Sequence, residues 1–123
     1  MTKLISLKSN SRFKSLLSKK KILTDYFTIY FGKILESENH KALNISFVIK
    51  KKIGNSIIRN RIKRRLKSVV RKNLQSKKNI NTNYSYLVFG KSKAYNEKYS
   101  IIEEEFDKTF YKINSSKNWN EIH

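Results

Sequence analysis

KKKIGNSIIRNRIKRRLKSVVRK, residues Lys50 to Lys72, is the stretch that decides how this chain folds. Gly54 interrupts the apolar strand before it and is expected to adopt a backbone angle that other residues disfavour. Asn55 or Ser56 can then cap a helix from about residue 57 to residue 74. The helix prediction rests on apolar residues that recur at helical spacing and form one buried stripe, namely Ile58, Ile62, Leu66, Val69 or Val70, and Leu74.

The same stretch concentrates the positive charge of the chain. It contains eleven of the 28 Lys and Arg residues, five of the six arginines and no acid. An Arg guanidinium is a planar fork that matches phosphate oxygens. A purely solvated face does not explain this charge, and a membrane-surface helix needs a wider apolar face with aromatic residues. The pattern therefore favours a nucleic-acid-binding helix.

Composition limits the remaining possibilities. The 123 residues suit one domain, and a net charge of +19 favours a polyanionic partner. No cysteine is present, and the two histidines give no metal-site spacing. No apolar run reaches the roughly 20 residues of a membrane span, and residues 1–20 lack the core of a secretory signal. Residues 1–24 also fit a transit peptide, although a short folded helix with Phe13 and Leu16 is preferred.

The flanking segments predict further elements. Phe13, Leu16 and Leu17 are spaced for a helix capped by Asn10 or Ser11 and ending near Ser18. β-Branched and aromatic residues predict strands at Ile22–Leu35, Leu43–Lys50 and Tyr84–Phe89, and a last helix is expected at Tyr99–Ile113. This order of elements indicates an α+β or α/β fold.

Motifs of protein catalysis are missing. The sequence contains no GxSxG, P-loop or HExxH pattern, and its nine acids are scattered or clustered late. We therefore expect no catalytic residue and no metal ligand in the protein. Other roles stay open: Phe13 and Tyr30 either stack on bases or pack in a core, with core packing favoured for Phe13. Lys51 and Lys52 either grip a nucleic-acid backbone or lie in solvent.

From Lys51 to Arg71 the chain resembles the protein subunit of bacterial ribonuclease P. That family carries Lys-Lys-x-Gly-Asn followed by Arg-Asn-Arg-x-Lys-Arg on a helix, and both elements are present here. The opening LKSNSRFKSLL, the aromatic strand at Tyr26 to Phe31 and the segment YSYLVFGKSKAY are similar to other parts of the family.

The resemblance implies an α+β fold, with a small mixed β-sheet packed with helices in the order α-β-β-β-α-β-α. It also implies a left-handed strand–helix–strand crossover, against the usual rule. The expected domain spans residues 1–123, with flexible tails at 1–6 and 114–123.

The resemblance implies a function in the 5′ maturation of tRNA. A catalytic RNA would cut the 5′ leader from precursor tRNA with magnesium, while the protein binds that RNA and the leader. The expected partners are ribonuclease P RNA and precursor tRNA in the cytoplasm, with no membrane and no obligate protein partner. A non-enzymatic RNA-binding protein of ribosomal or architectural type is the alternative.

The resemblance also assigns residues. Those that would contact the catalytic RNA are Arg59, Asn60, Arg61, Lys63, Arg64 and Arg65. Those that would contact the leader are Phe13, Leu17, Tyr30, Lys50, Lys51, Lys52, Asn55 and Lys91. Three of these positions depart from the family, which often has Phe at Leu17, Arg at Lys91 and Ser at Lys50.

Overall fold

Five strands and three α-helices make up the part of the chain that the computed structural model describes, residues 3–76 and 79–115. In chain order they are β1 (Leu4–Ile5), α1 (Asn10–Leu17), β2 (Lys20–Leu23), β3 (Phe27–Lys33), β4 (Leu43–Val48), α2 (Ser56–Ser76), β5 (Tyr84–Gly90) and α3 (Tyr99–Ser115). Short 3₁₀ turns at Lys51–Ile53 and Ser92–Tyr95 precede α2 and α3.

The strands form one mixed sheet in the order β1-β4-β5-β3-β2. Strand β4 is parallel to β1 and β5, whereas β3 is antiparallel to β5 and β2. Helix α2 makes the crossover between the parallel neighbours β4 and β5. The predicted α+β fold is confirmed, with β1 as an additional strand, and the left hand of the crossover stays a prediction.

The expected single strand at Ile22–Leu35 is wrong. The segment folds into the antiparallel pair β2 and β3, in which Lys21 lies opposite Tyr30. Thr24 makes the reversal between them, because its Oγ1 accepts hydrogen bonds from Tyr26 N at 3.2 Å and Phe27 N at 3.0 Å. Local side-chain capping thus outweighs the strand propensity of the whole segment.

Part of the expected N-terminal tail is ordered into β1. Leu4 pairs with Leu43, and Leu43 N donates to Lys3 O at 2.8 Å. At the other end, Asn114 and Ser115 continue α3, and residues 116–123 lie outside the described residues. No helix within the described ranges is long and apolar enough to cross a lipid bilayer.

Helices cover both faces of the sheet. On one face, α2 and α3 enclose the larger core, in which the Phe27 and Phe106 rings stack at 3.9 Å. On the other face, α1 buries Leu16 against Leu87 of β5, and the preceding segment adds Leu7. Because α1 is only two turns long, it covers part of this second face and leaves neighbouring side chains half-buried.

Two glycines are in close contact with side chains of α2. A Cβ atom on Gly90 would lie 2.9 Å from both Ile62 Cγ2 and Leu66 Cδ1, so glycine lets α2 pack directly on β5. The expected unusual backbone angle at Gly54 is wrong, because its φ of 165° is extended backbone. A Cβ there would instead lie 3.0 Å from side-chain atoms of Ile58.

Candidate nucleic-acid interface

The outward face of α2 carries cationic and polar side chains opposite its buried stripe. The buried residues are Ile62, Leu66, Val69, Val70, Asn73 and Leu74. Asn60, Arg64 and Arg71 lie on the opposite face at helical spacing, and all three are exposed. Their side chains have no hydrogen bond or ion pair to another described residue, so they are available to a partner.

Three other arginines of α2 are held in place by backbone carbonyls. Arg61 Nε donates to Tyr95 O at 3.1 Å, and its guanidinium lies 5.0 Å from the centroid of the Tyr95 ring. Arg65 donates from Nε to Ala94 O at 3.0 Å and from Nη2 to Glu97 O. Arg59 Nε donates to Gly54 O at 3.1 Å. A guanidinium has five N–H donors. Each of these three arginines therefore keeps free N–H groups for a phosphate, while the bond to the carbonyl fixes the orientation of the guanidinium.

Lys63 occupies a different flank of α2 from Arg61 and Arg65. It is exposed and lines a small cavity of about 380 Å³ together with Lys67, Phe13 and residues of β1 and β4. The residues predicted to contact the catalytic RNA therefore fall into three groups. Some point outward, some are anchored by backbone carbonyls, and Lys63 lies on the other flank of the helix. All of them lie on one helix, as the sequence predicted.

A half-buried apolar strip lies beside α1 on the second face of the sheet. It consists of Phe13, Tyr30, Val48 and Phe89, which pack against the buried Leu7, Leu16 and Leu87. We call these four residues the aromatic groove. The rings of Tyr30 and Phe89 are 5.7 Å apart and tilted by 59°. Half-exposed rings of this kind are platforms on which unpaired bases stack.

Lysines border the aromatic groove at two places. Lys21 Nζ lies 5.8 Å from the centroid of the Tyr30 ring, and Lys50 Nζ lies 5.6 Å from that of Phe89. The groove thus combines aromatic faces with ammonium groups, as proteins that bind single-stranded nucleic acid do. The chain runs from Lys50 through the 3₁₀ turn directly into α2, which connects the groove to the arginine helix.

The other residues predicted to bind the leader have varied settings. Leu17 is 45% exposed and lies outside the groove cluster. Lys51 and Lys52 are exposed in the 3₁₀ turn. Asn55 caps α2, because its Oδ1 accepts from Ile58 N at 3.0 Å. Lys91 Nζ donates to Thr24 O at 2.6 Å and so ties the end of β5 to the β2–β3 turn.

Four residues of these surfaces were missed by sequence reasoning. Val48, Phe89 and Lys21 belong to the groove only because the strand register places them beside Tyr30. The sequence contained no signal for this register. Arg71 had a signal, since it follows Arg64 by seven residues and two helical turns bring it to the same face.

A buried ion pair holds α1 against the sheet. Arg12 donates to Glu38 Oε2 and to Lys33 O at 2.9 Å, and Glu38 Oε1 accepts from Leu35 N at 2.9 Å and Ser85 Oγ at 2.8 Å. Burial opposes ionisation of the Glu38 carboxyl, but the hydrogen bonds from Leu35, Arg12 and Ser85 outweigh burial and lower its pKa. Glu38 is therefore ionised at neutral pH and offsets the Arg12 charge.

Comparison with known proteins places this geometry in a family. A family model described as Ribonuclease P matches residues 1–114. The chain is 30% identical over 105 residues to the ribonuclease P protein component of Streptococcus agalactiae (serotype III, strain NEM316), covering 85% of this chain and 89% of that one. It is 27% identical over 107 residues to the ribonuclease P protein component of Carboxydothermus hydrogenoformans, covering 85% and 87% of the two chains.

A solved structure supports the fold. The RNase P protein from Thermotoga maritima superposes with a TM-score of 0.69 at 19% identity, over 86% of this chain and 94% of that chain. The arginine helix, the groove and the sheet order thus lie within a match that covers nearly all described residues. The chain belongs to the ribonuclease P protein family.

Proposed function

We propose that this protein is the protein component of ribonuclease P and serves the 5′ maturation of tRNA. In this role α2 binds the RNA subunit, and the aromatic groove binds the single-stranded 5′ leader of precursor tRNA. The observation that carries the proposal is the direct connection of the groove to the arginine helix through Lys50 and the following turn. One short segment thus links a single-strand site to a phosphate-binding site.

The geometry of α2 suits a large structured RNA. Its outward and anchored arginines present guanidinium groups along one side of a 21-residue helix. Arg65 and Arg61 are directed by carbonyls of the Ser92–Tyr95 turn, so fewer rotamers are lost on binding a phosphate. Each neutralised phosphate also releases counterions, which supplies affinity that falls with salt.

The geometry of the groove suits an unpaired strand. Tyr30 and Phe89 offer ring faces, and a base within a duplex cannot reach such a platform because both of its faces are already stacked. Lys21 and Lys50 lie at the two rings, where they can neutralise the phosphates of stacked nucleotides. A single-stranded leader has these chemical properties.

The chemistry of cleavage is assigned to the RNA subunit. No carboxylate or histidine is among the described residues that form the groove or border it. Elsewhere, the carboxylate of Glu38 is paired with Arg12 and that of Glu103 with Lys72. The protein therefore contributes binding and orientation of the substrate, whose effect on the reaction is to raise the fraction of correctly placed precursor.

Magnesium is proposed to act with the RNA subunit. Magnesium prefers oxygen ligands, mainly carboxylates and phosphates. Residues 3–76 and 79–115 contain no cluster of three or more His, Cys, Asp or Glu side chains that fits an ion. We propose that the lysines and arginines of the protein act on RNA phosphates. We propose the cytoplasm as its place of action, with no obligate protein partner.

Reconstitution tests the proposal. The full chain is mixed with a bacterial ribonuclease P RNA at low magnesium concentration, and removal of the leader from precursor tRNA is followed on gels. We expect the protein to stimulate cleavage with the correct 5′ end, and a variant with Arg61→Ala and Arg65→Ala to stimulate less. Absence of stimulation at any protein concentration would overturn the proposal.

A further inference from the structure

A second cationic surface lies on the opposite flank of α1 from the aromatic groove. It is a cavity of about 920 Å³ between α1, the end of β3 and the segment before β5. Arg12 and Ser15 of α1 line it, whereas Phe13 lies on the other flank of the helix, with Leu16 buried between them. Its volume is within the range of pockets that hold small organic ligands, about 300–1,000 Å³.

The charge of this cavity is uncompensated and positive. Four lysines line it, namely Lys19, Lys20, Lys21 and Lys33. Its lining, as far as the described chain forms it, includes no Asp or Glu. Arg12 contributes little free charge, because its guanidinium is buried and paired with Glu38 at 3.1 Å. The four ammonium groups therefore repel one another until an anion occupies the cavity.

The remaining lining groups suit a nucleotide better than a simple anion. Tyr84 is half-buried and contributes ring surface to the wall, and it meets the buried Phe31 edge to face at 5.7 Å. Asn83 contributes an exposed amide, which can donate to and accept from a base or ribose. Phosphate-binding ammonium groups, ring edges and an amide are together the complement of a nucleotide.

The cavity is contiguous with the aromatic groove through one residue. Lys21 lines the cavity, and its Nζ also lies 5.8 Å from the centroid of Tyr30. A strand stacked on Tyr30 and continuing past Lys21 therefore passes the C-terminal end of α1 and reaches the cavity. Gly32 permits this arrangement, since a Cβ there would lie 3.0 Å from Leu16 Cδ2 and 3.2 Å from Lys19 Cγ.

We propose that this cavity binds nucleotides of a single-stranded RNA that extend beyond the aromatic groove. The inference rests on the proposed binding of the leader in that groove. It adds a second anchor, so that a long leader contacts both flanks of α1 and a short leader contacts only one. Affinity should therefore increase with leader length beyond the span of the groove.

The experiment uses the full chain and fluorescein-labelled oligouridylates of about 5 and about 12 nucleotides, a short and a long length within the range of about 4–16 nucleotides that single-strand sites cover. The test variant carries Lys19→Ala and Lys33→Ala, two exposed lysines of the cavity that are not groove residues. The charge-matched control carries Lys108→Ala and Lys112→Ala on the exposed side of α3. Tyr30→Ala reports on the groove. Circular dichroism verifies that each variant is folded.

We expect the cavity variant to bind the long oligonucleotide about 25-fold more weakly at about 0.1 M salt, because two lost phosphate contacts reduce the salt slope by about 1.4. Its affinity for the short oligonucleotide should change less than about twofold, as should that of the control for both. Equal losses for both lengths, no loss at all, or a loss matched by the control would overturn the inference. If Tyr30→Ala also leaves both affinities unchanged, the proposed groove function fails as well.

Discussion

Arg12 Nε donates a hydrogen bond to Glu38 Oε2 at 3.1 Å, and this ion pair joins α1 to the loop that follows β3. Only 6% of the Arg12 side chain and 12% of the Glu38 side chain are exposed. Because α1 provides Phe13 to the aromatic groove and Ser15 to the lysine-lined cavity, the pair sets the position of a wall of both sites.

Glu38→Gln should strongly destabilise the protein. The substitution preserves size and an acceptor for Leu35 and Ser85, but it leaves the buried Arg12 guanidinium without its counter-charge. Loss of one partner of a buried pair costs about 3–5 kcal/mol. Urea denaturation at neutral pH should show a loss near the lower value. The control Glu104→Gln removes an exposed charge from α3, and equal effects of the two variants would contradict a special role for the pair.

The contribution of Glu38 to stability should depend on pH in the acid range. Its folded-state pKa is lowered, whereas the unfolded value is about 4.3. The stabilisation is therefore complete above that unfolded value and is lost as pH falls through the folded pKa. The difference in free energy of unfolding between the natural protein and Glu38→Gln should be constant at pH 5–7 and shrink towards pH 3. A difference that grows on acidification would contradict this sign.

Substitutions in α2 should distinguish the effect of positive charge from the effect of guanidinium orientation. Arg61→Ala with Arg65→Ala should weaken binding to a ribonuclease P RNA by about 5- to 10-fold for each lost phosphate contact at about 0.1 M salt. Arg61→Lys with Arg65→Lys retains the charge but loses the Nε bonds to Tyr95 O and Ala94 O, so it should recover only part of the affinity. Filter binding measures the RNA affinity of both double variants. Full recovery of affinity in the lysine variant would argue against a role for the orientation of the guanidinium groups.

The contribution of the outward-facing arginines of α2 to RNA binding can be tested separately. Arg64→Ala with Arg71→Ala removes side chains that have no partner among the described residues, so the variant should retain its stability within about 0.5 kcal/mol. Its affinity for a ribonuclease P RNA should nevertheless fall, and the slope of log affinity against log salt should be reduced. Unchanged affinity would remove the outward face from the interface.

Tyr30→Ala should weaken binding of precursor tRNA that carries a leader. Loss of one stacked base costs about 1–3 kcal/mol of binding free energy. Tyr30→Phe retains the ring and should bind nearly as well as the natural protein, which makes it the matched control. Phe89→Ala should resemble Tyr30→Ala, because the two rings are 5.7 Å apart. Equal loss of affinity for leaderless tRNA would argue against a leader-binding groove.

Gly90→Ala should destabilise the fold by overpacking. The added methyl group would lie 2.9 Å from Ile62 Cγ2 and Leu66 Cδ1, and such crowding costs about 1–3 kcal/mol. The exposed neighbour Ser92→Ala is the control. Urea denaturation should show a lower midpoint for Gly90→Ala only. An unchanged or higher midpoint would mean that α2 relaxes away from β5 without cost.

Elements that depend on neighbours in the chain were predictable. The stripe of Ile62 and Leu66, the Asn55 cap and the extent of α2 follow from contacts three or four residues apart. The helix α3 follows from the same periodicity. Ser9 rather than Asn10 or Ser11 caps α1, accepting from Arg12 N at 3.2 Å, because a one-residue shift still satisfies the first turn.

Features that join distant residues were not predictable in the same way. The groove depends on the register that places Phe89 beside Tyr30. The split of Ile22–Leu35 is different, because its Thr24 turn is local and the strand propensity of the whole segment masked it. A strand alternates faces with every residue, so its sequence does not tell which face is covered by α1. Likewise, nothing near Arg12 in sequence indicates that its partner is Glu38, 26 residues away.

The sequence by itself determined the cationic helix, its buried stripe and the family, because charge, local periodicity and an ordered motif all depend on residues that are close together in the chain. The tertiary structure alone decided which arginines are anchored, which rings form the groove and which lysines surround the cavity. These depend on strand register and on packing between residues far apart in the chain, where the free energy comes from burial that no local pattern specifies.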